Sequence, residues 1–321
     1  MPISGPTSFV PVTEECLGHW AAVDTALGAG NEVVLPGAVN RAALQTKLNA
    51  LVAKQADVQA KLNAEEVARG DVELKRQDLL LRANQFNDKI RGMFPGSKWV
   101  RALPSVPTIT EAQSKFVQPL DDIGNLWGLI NADPATPAAV SLLGGYLVAA
   151  FLAEVTGLKT ASTTLNIARS NTKIALEERN DLQDAIYEIL KNYRQVMPTF
   201  FAPDHALVES LPRLTPEPGS TPAAVTANGS YDATQQKARL SSTQSTDPNL
   251  LRIEWRYCQG PNFSTDLEAV VPGGSIPPGG NLEILTDIAL SSPGAVATFR
   301  AYVITTTGNE KGSNTVTIVR P

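Results

Sequence analysis

The sequence is poor in the residues that most often carry chemistry in proteins. It holds two histidines and two cysteines among 321 residues, and neither type occurs in a spacing such as Cys-x-x-Cys or His-Glu-x-x-His. It also lacks a Gly-x-Ser-x-Gly nucleophile turn and the Gly-Lys-Ser/Thr step of a phosphate-binding loop. We therefore predict that the protein is not an enzyme and that it uses no cofactor or metal.

The chain also lacks a strong charge of one sign. Its formal net charge is −5, and the acidic and basic residues are mixed along the whole sequence. A protein that binds nucleic acid through its phosphates needs a basic excess. The charge balance therefore predicts no nucleic-acid partner.

Long hydrophobic runs are missing as well. The most apolar run is Ala138–Ala153, AAVSLLGGYLVAAFLA, which is shorter than the roughly 20 residues needed to span a bilayer. The sequence therefore predicts no membrane span. The N-terminal residues have no basic segment followed by an apolar one, so no Sec signal peptide is expected, and the compartment (cytoplasmic or exported by another route) stays open.

Two small groups of reactive residues leave alternatives open. Cys16 and Cys258 lie in regions predicted to belong to different domains, and a disulfide between them is neither indicated nor excluded. Asp266, Glu268 and Asp287 could approach one another in a loop and hold calcium, which prefers carboxylate oxygens.

The first two hundred residues are predicted to be helical. Thr13, followed by two glutamates, favours the start of a helix that ends near Leu27. A second short helix is expected from Glu111 to Asn131, with Trp127 in its core face.

Two long helices dominate this part. Apolar residues recur at alternate steps of four and three from Leu44 to Met93 and again from Leu147 to Val196. Pro95 and Pro198 end the two patterns. Each helix is expected to be about 75–80 Å long at 1.5 Å per residue. The two patterns show no internal sequence repeat.

We expect the long helices to pair with each other, antiparallel, because both carry a narrow apolar stripe of matched length. The two short helices would complete a four-helix arrangement. Arg169, Lys173 and Arg179 are interleaved with Glu177, Glu178 and Asp181, a mixed charge that favours solubility and helix pairing rather than a binding surface. The predicted helix-pairing residues are Leu44, Leu48, Leu51, Val58, Leu62, Leu79, Phe86, Ile90, Leu158, Leu165, Leu182, Ile186 and Ile189.

The composition changes near residue 214. The segment Thr215–Ser230 is rich in proline, glycine, serine and threonine and is typical of a linker. Beyond it, the stretch LLRIEWRYC alternates apolar residues with Arg252, Glu254 and Arg256, which predicts a strand with one buried and one solvated face. Six or seven such short strands in about 107 residues are typical of a β-sandwich.

The chain ends in a predicted hairpin of Ala297–Thr306 and Ser313–Val319. Its pattern Phe-x-Ala-x-Val-x-Thr-x-x-Gly, from Phe299 to Gly308, resembles the end of a fibronectin type III domain. Ile253-x-Trp255-x-Tyr257 would then occupy the third strand of that family. The predicted sandwich core is Ile253, Trp255, Tyr257, Phe299 and Val303.

The resemblance has one departure. The tryptophan usual on the second strand of that family is absent, because KARLSST has serine or threonine there. We expect Trp255 to fill that volume from the neighbouring strand. The resemblance implies an immunoglobulin-like fold but no specific function, since such sandwiches have many roles.

The sequence therefore predicts a multi-domain protein, α then β. An elongated helical bundle or long antiparallel helical hairpin covers residues 1–213, a linker covers 214–228, and a fibronectin type III-like sandwich covers 229–321.

The function that this architecture favours is structural. A helical rod with large side surfaces, followed by a sandwich with edge strands, would self-associate as a homo-oligomer in a filament, sheath or surface assembly. Alternatively, the sandwich would bind a protein or glycan through Gln259–Asp266, with Phe263 as an anchor, and through Pro272–Asn281, while the helices act as a spacer or dimeriser. An enzyme with a pocket between the domains is a third reading.

Overall fold

The structure, a computed structural model, describes residues 3, 5–136, 138–216 and 221–321. Long helices are followed by antiparallel β-sheets in the C-terminal part, as the sequence predicted at this level. The chain divides into two compact units: unit 1 is Met1–Val58 with Ala175–Pro321, and unit 2 is Gln59–Ile174. Both long helices contribute to both units.

The described residues form six α-helices and two short 3-10 turns, and the long helices end where the sequence predicted. Pro95 and Gly96, which has a φ of 73°, follow the first long helix, and a 3-10 turn follows the second. In chain order the helices are α1 (Phe9–Leu27), α2 (Arg41–Met93), α3 (Lys98–Arg101), α4 (Gln113–Ala132), α5 (Val148–Val196) and α6 (Ala206–Glu209), with 3-10 turns at Pro6–Ser8 and Met197–Phe200.

The predicted start of the first helix was wrong. Helix α1 begins at Phe9, and Thr13 lies buried inside it, with its hydroxyl donating to the carbonyl of Phe9 at 2.6 Å. Threonine can satisfy its hydroxyl in this way within a helix, so a Thr-Glu-Glu run alone does not fix a cap.

The helical part repeats one arrangement at a fixed offset, an internal duplication of structure that the apolar patterns of the sequence do not show. Helix α2 begins at Arg41 and α5 at Val148, and adding the same 107 positions relates the rest of residues 6–94 (the first half) to residues 113–201 (the second half). The offset maps Trp20 onto Trp127, both fully buried. Few other pairs are identical, since apolar types interchange at core positions.

The connection before each long helix repeats bond for bond. The amide of Val33 donates to the Asp24 carboxylate at 3.0 Å, and the amide of Val140 donates to the Asn131 side-chain oxygen at 2.8 Å. Each half then makes a tight turn, closed by a β-bridge between Leu35 and Val39 in the first half and its equivalent in the second. The two turns therefore fix the entry into α2 and α5 in the same way.

Each unit has a helical core built from both halves. In unit 1, α1 and the start of α2 pack with the end of α5, and Trp20 stacks on Tyr193 at 4.4 Å between ring centroids. In unit 2, α4 and the start of α5 pack with the end of α2, and Trp127 stacks on Phe86 at 4.8 Å. Tyr193 and Phe86 are themselves equivalent by the same offset, so the two cores use one packing scheme.

Each unit contains an ion pair between the two long helices. In unit 1, Lys54 of α2 pairs with Glu178 of α5 at 2.7 Å. In unit 2, Glu65 of α2 pairs with Arg169 of α5 at 3.6 Å.

The β region follows in unit 1, as two antiparallel sheets with a common hydrophobic core. One sheet has the strand order β1-β2-β5, and the other has the order β4-β3-β6-β7 with β8 also paired to β6. The strands are β1 (Ala227–Asp232), β2 (Lys237–Ser242), β3 (Leu250–Gln259), β4 (Ala269–Ile276), β5 (Glu283–Thr286), β6 (Val296–Thr305), β7 (Glu310–Gly312) and β8 (Val316–Val319).

Three strand predictions need correction. Part of the predicted linker, 227–230, belongs to β1, because its Ala227–Asp232 backbone pairs with β2. The predicted loop Pro272–Asn281 is strand β4 as far as Ile276. The final hairpin is three segments, since β7 and β8 pair with different parts of β6. Residues 217–220 of the predicted linker lie outside the described residues, and the domain bounds stay a prediction.

Across the described ranges, none of the helices combines the length and the apolar character that crossing a bilayer requires.

Candidate functional site

Charged side chains gather on the face of the five-stranded sheet that the sequence predicted to be solvated. Arg252, Glu254 and Arg256 lie on β3, and Glu310 lies on β7. Glu268 directly precedes β4. Tyr302 of β6 stands opposite Glu254 in the strand register. We call these six residues the charged cluster.

Arg256 is the centre of the charged cluster. Its guanidinium donates to Glu254 at 2.9 Å, to Glu268 at 2.7 Å and to Glu310 at 2.7 Å. It also lies over the ring of Tyr302, 4.2 Å from the centroid. All three nitrogens of the guanidinium are therefore bonded to carboxylates, which is the geometry for which arginine is suited.

The outer members complete the network. Arg252 donates to the second oxygen of Glu254 at 2.8 Å. The hydroxyl of Tyr302 donates to the second oxygen of Glu268 at 2.8 Å. Both oxygens of these two glutamates are thereby occupied, so neither carboxylate is poised as a free acid or base.

Burial shows that the prediction of a solvated face on β3 was wrong. Arg256 is 2% exposed and Glu254 is 7% exposed. Alternation along a strand separates two faces, but it does not say whether the second face meets water or protein. The signal that could have been used is the opposite signs of Arg252, Glu254 and Arg256 at steps of two, since paired charges tolerate burial.

The charged cluster has three carboxylates and two guanidiniums. Burial raises the pKa of Glu268, and the neighbouring Arg256 and Tyr302 only partly offset that rise. Burial by itself would lower the pKa of Arg256, but the three carboxylates, Glu310 first, raise it above the ordinary value.

The N-terminal turn and α1 close over the charged cluster. Thr7, Ser8 and Pro11 line a cavity of about 150 Å³ together with Arg256 and Glu310. That volume holds a few water molecules, which occupy about 30 Å³ each in the liquid, and it is smaller than the roughly 300 Å³ of the smallest usual ligand pockets. The arrangement therefore fits a hydrated contact better than a substrate pocket.

Two further contacts within unit 1 lie beside this cavity. The carbonyl of Pro6 accepts from Gln183 of α5 at 3.2 Å. Arg179 of α5 donates to the backbone carbonyl of Asp266 in the β region at 2.7 Å. Arg179 is 5% exposed, whereas the sequence predicted that it serves solubility and helix pairing. Its burial, which lowers its pKa, reflects the β region lying against α5.

The predicted helix-pairing residues are distributed between the two helical cores. Of these, Leu44, Leu48, Leu51, Ile186 and Ile189 are buried in the core of unit 1 with α1, and Leu182 is partly buried against it. In the core of unit 2, α4 packs with Leu79, Phe86, Ile90, Leu158 and Leu165. Val58 is buried and Leu62 half-buried. The role of these residues as a two-helix seam stays a prediction, since the short helices share their contacts.

The predicted sandwich-core residues lie together. Ile253, Trp255, Tyr257, Phe299 and Val303 are all buried in the core shared by the two sheets. The proposed binding loop is more restrained than expected. The thiol of Cys258 contacts the backbone of Ser264, and Phe263 lies under the guanidinium of Arg300 at 4.6 Å.

The structure shows the positions of the two cysteines and of the acidic residues for which the sequence left alternatives open. Cys16 and Cys258 are both free and buried. Burial raises the pKa of the Cys16 thiol to about 12 and that of Cys258 to about 11. Within the described ranges no three His, Cys, Asp or Glu side chains are grouped to hold a metal ion, so Asp266, Glu268 and Asp287 do not form a calcium site there.

A second, more open cavity of about 530 Å³ lies in unit 1 beside the end of α5. Lys191, Arg194 and Arg213 line it. Lys191 pairs with Glu188 at 3.4 Å, and Arg194 donates to the carbonyl of Leu211 at 3.4 Å. These two cations thus have partners within the chain.

Comparison with known proteins gives limited likenesses. No protein-family model matches the chain, and no curated protein matches its sequence. A solved Fn3-like protein from Clostridium thermocellum is 12% identical, covers 32% of this chain and 96% of its own, and gives a TM-score of 0.25. This match covers the C-terminal part, for which the sequence resembles a fibronectin type III domain.

Pectate lyase PelI from Erwinia chrysanthemi, solved with tetragalacturonic acid, is 16% identical with a TM-score of 0.25, and the match covers 30% of this chain and 28% of the lyase. A second structure of that lyase is 17% identical with a TM-score of 0.24, over 30% of this chain and 27% of the lyase. This chain therefore matches less than a third of the lyase.

Proposed function

We propose that this protein is a non-enzymatic structural protein that self-associates through its helical part. The observation that carries the proposal is a row of large apolar side chains on α2 that face solvent. Val67, Leu74 and Leu81 are 75%, 62% and 54% exposed and lie seven residues apart. Residues seven apart lie on nearly the same side of a helix, so these three side chains form an apolar surface on which another helix can pack.

The charged cluster supports a structural role for the β region. Every carboxylate in it is bonded to an arginine, and the cavity beside it is small. Such a network specifies how β3, β6, β7 and the segment before β4 lie against one another, because an unpaired buried charge would be costly. The cluster thus acts as a fixed junction.

The finer architecture is part of the same proposal. The two sheets pack as a fibronectin type III-like sandwich, which their shared core supports. The long helices form an antiparallel pair completed by the short helices, which the Lys54–Glu178 and Glu65–Arg169 pairs support. Binding of a protein or glycan by loop 259–266 has less support, because Arg179 and Cys258 hold that loop.

The test is the mass of the purified chain as a function of concentration. Multi-angle light scattering, with negative-stain microscopy of the same samples, should give a mass that rises reversibly above the 34.2 kDa of one chain. Filaments, rings or sheets would agree with this expectation. A constant mass of one chain over the whole concentration range would contradict the proposal.

A further inference from the structure

The exposed row on α2 lies opposite the buried side of that helix. Leu74 and Leu81 come two residues after the buried Val72 and Leu79, and two steps turn the direction by about 200° around a helix. Val67 extends the row one heptad towards the N-terminus. These three residues, which we call the α2 outer stripe, cover about 21 Å of helix and belong to unit 2.

Helix α5 has a similar row in the same unit. Ile167 and Ile174 are 57% and 52% exposed and follow the buried Leu165 and Thr172 by two residues. The exposed Thr160 lies one heptad earlier. Thr160, Ile167 and Ile174 form the α5 outer stripe, which has the same length and the same spacing as the α2 outer stripe.

The charges beside the two stripes have opposite signs. From residue 63 to 84 of α2, the charged residues that are exposed as whole residues are Asp71, Glu73 and Asp78, all acidic, and the neighbouring Lys75, with 40% of its side chain exposed, pairs with Asp71. From residue 149 to 174 of α5, the exposed charged side chains are Lys159, Arg169 and Lys173, all basic. The two stripes are therefore complementary in charge and matched in apolar spacing.

Some of these charges also have partners within the chain. Asp71 pairs with Lys75, and Lys159 and Arg169 pair with Asp121 and Glu65. Asp71, Lys159 and Arg169 nevertheless keep about half of their side-chain surface exposed. Exposed pairs of this kind contribute little to folding stability, so the side chains can also contact a second molecule.

The internal duplication shows that the fold does not require leucine in the α2 outer stripe. The offset of 107 positions places Asp181 and Glu188 of α5 where α2 has Leu74 and Leu81. All four residues are exposed on equivalent turns of a long helix. Packing within the chain therefore does not explain why α2 has leucine at positions 74 and 81.

We infer that the α2 outer stripe of one copy binds the α5 outer stripe of a second copy. This inference rests on the proposed function and specifies its contact. Because the two surfaces differ, the contact is heterologous, and an assembly of several copies has one unused α2 outer stripe at one end and one unused α5 outer stripe at the other. Association of this type continues from copy to copy unless the rotation closes a ring.

The first variant imports residues from the other half of the molecule. The double substitution Leu74→Asp and Leu81→Glu places on α2 the side chains that α5 carries at the equivalent positions, so the helix is expected to fold. We expect the dissociation constant for self-association, measured by sedimentation velocity, to rise about tenfold or more, since two acids would replace the apolar contact. Circular dichroism verifies the fold.

Charge reversal tests which surfaces meet. Variant A carries Asp71→Lys, Glu73→Lys and Asp78→Lys, and variant B carries Lys159→Glu, Arg169→Glu and Lys173→Glu. Each variant alone faces like charge with like charge, which is unfavourable, and we expect about tenfold weaker association for each. A mixture of A and B restores opposite charges, and we expect its dissociation constant to return to within a few-fold of the wild type.

A matched control carries the same charge change elsewhere. The variant with Asp181→Lys, Asp184→Lys and Glu188→Lys alters three exposed acids on α5 in unit 1 and should associate as the wild type does.

The outcomes separate this inference from the proposed function. Wild-type association that neither A nor B weakens would overturn the contact and leave self-association standing. Weakening by A and B without recovery in the mixture would overturn the pairing of α2 with α5. A wild type that stays monomeric at every concentration would overturn both.

Discussion

The two helical halves perform the same folding task with different side chains. Both build a short helix, a tight turn and a long helix, and both place a fully buried tryptophan in the same position. They differ outside the core, where Leu74 and Leu81 of the first half correspond to Asp181 and Glu188 of the second. The comparison teaches which positions the fold specifies and which it leaves to other roles.

The two halves also differ in what lies beside their first residues. Thr7 and Ser8 at the start of the first half line the cavity beside the charged cluster. Their equivalents in the second half, Ser114 and Lys115, are exposed. The same structural position is therefore part of a junction in one half and a surface in the other.

The largest expected effect concerns the paired tryptophans. Trp20→Ala and Trp127→Ala should each lower the free energy of unfolding by about 3–5 kcal/mol, because each leaves a large cavity in a closed core. Urea denaturation followed by circular dichroism measures both values. Trp99→Ala, at a half-buried position, is the control and should cost less. A small loss at one tryptophan and a large loss at the other would break the equivalence of the halves.

The next effect concerns the bond that holds each turn. Asp24→Ala and Asn131→Ala should each cost about 1–2 kcal/mol of unfolding free energy, because the amide of Val33 or Val140 loses its acceptor. Asp24→Asn keeps the acceptor that the second half uses and serves as the control. Thermal unfolding of the three variants checks this. Equal losses for Asp24→Asn and Asp24→Ala would show that the hydrogen bond is not the stabilising feature.

A smaller effect is expected at a turn position where the backbone of both halves favours glycine but only the second half has one. Ala38 has a φ of 58°, and its equivalent in the second half is Gly145 with a φ of 75°. Ala38→Gly should stabilise the protein by about 0.5 kcal/mol, since a left-handed non-glycine residue costs about 1–2 kcal/mol and glycine loses about 0.5–1 kcal/mol more entropy on folding. Calorimetry measures the shift in Tm. A lower Tm would contradict the argument.

The smallest expected effect is a pH dependence of stability that comes from Glu268 in the charged cluster. Because the pKa of Glu268 is raised in the folded protein, the folded state holds its proton more tightly than the unfolded state, whose pKa is near the ordinary 4.5. The unfolding free energy due to this group therefore falls as pH rises from 4.5 through the folded pKa. Glu268→Gln removes that fall, so the variant should gain stability relative to the wild type with rising pH.

Denaturant titrations of both proteins at several pH values between 4 and 8 measure this difference. A difference that stays constant with pH, or that changes in the opposite direction, would contradict the raised pKa. The charged cluster and the described residues that line the cavity beside it all belong to unit 1, so the effect is expected in that unit.

Much of the fold was predictable from local patterns. The ends of α2 and α5 follow from Pro95, Gly96 and Pro198, and the strand β3 follows from its alternation. These features depend on backbone geometry and on the spacing of apolar residues, and both are determined by residues that are close in sequence. The start of α1 was missed, because Thr13 is equally suited to a cap and to a bond within the helix.

The candidate site was less predictable. The residues of the charged cluster are far apart in sequence, from Arg252 to Glu310, and no local pattern indicates that the N-terminal turn and α1 lie beside the outer face of β3. The duplication was hidden for a similar reason. Equivalent core positions need only be apolar, so Leu79 corresponds to Ile186 and Phe86 to Tyr193, and the sequence identity between the halves is lost.

The sequence by itself determined where helices and strands form and which of their faces are apolar, because those properties arise from the residues of one segment. Only the tertiary structure decided what each face meets. It buried Arg256 among three carboxylates, although the alternation along β3 predicted a solvated face, and it left the apolar Leu74 in solvent. The physical reason is that burial depends on the surface that packs against a residue, and that surface comes from distant parts of the chain.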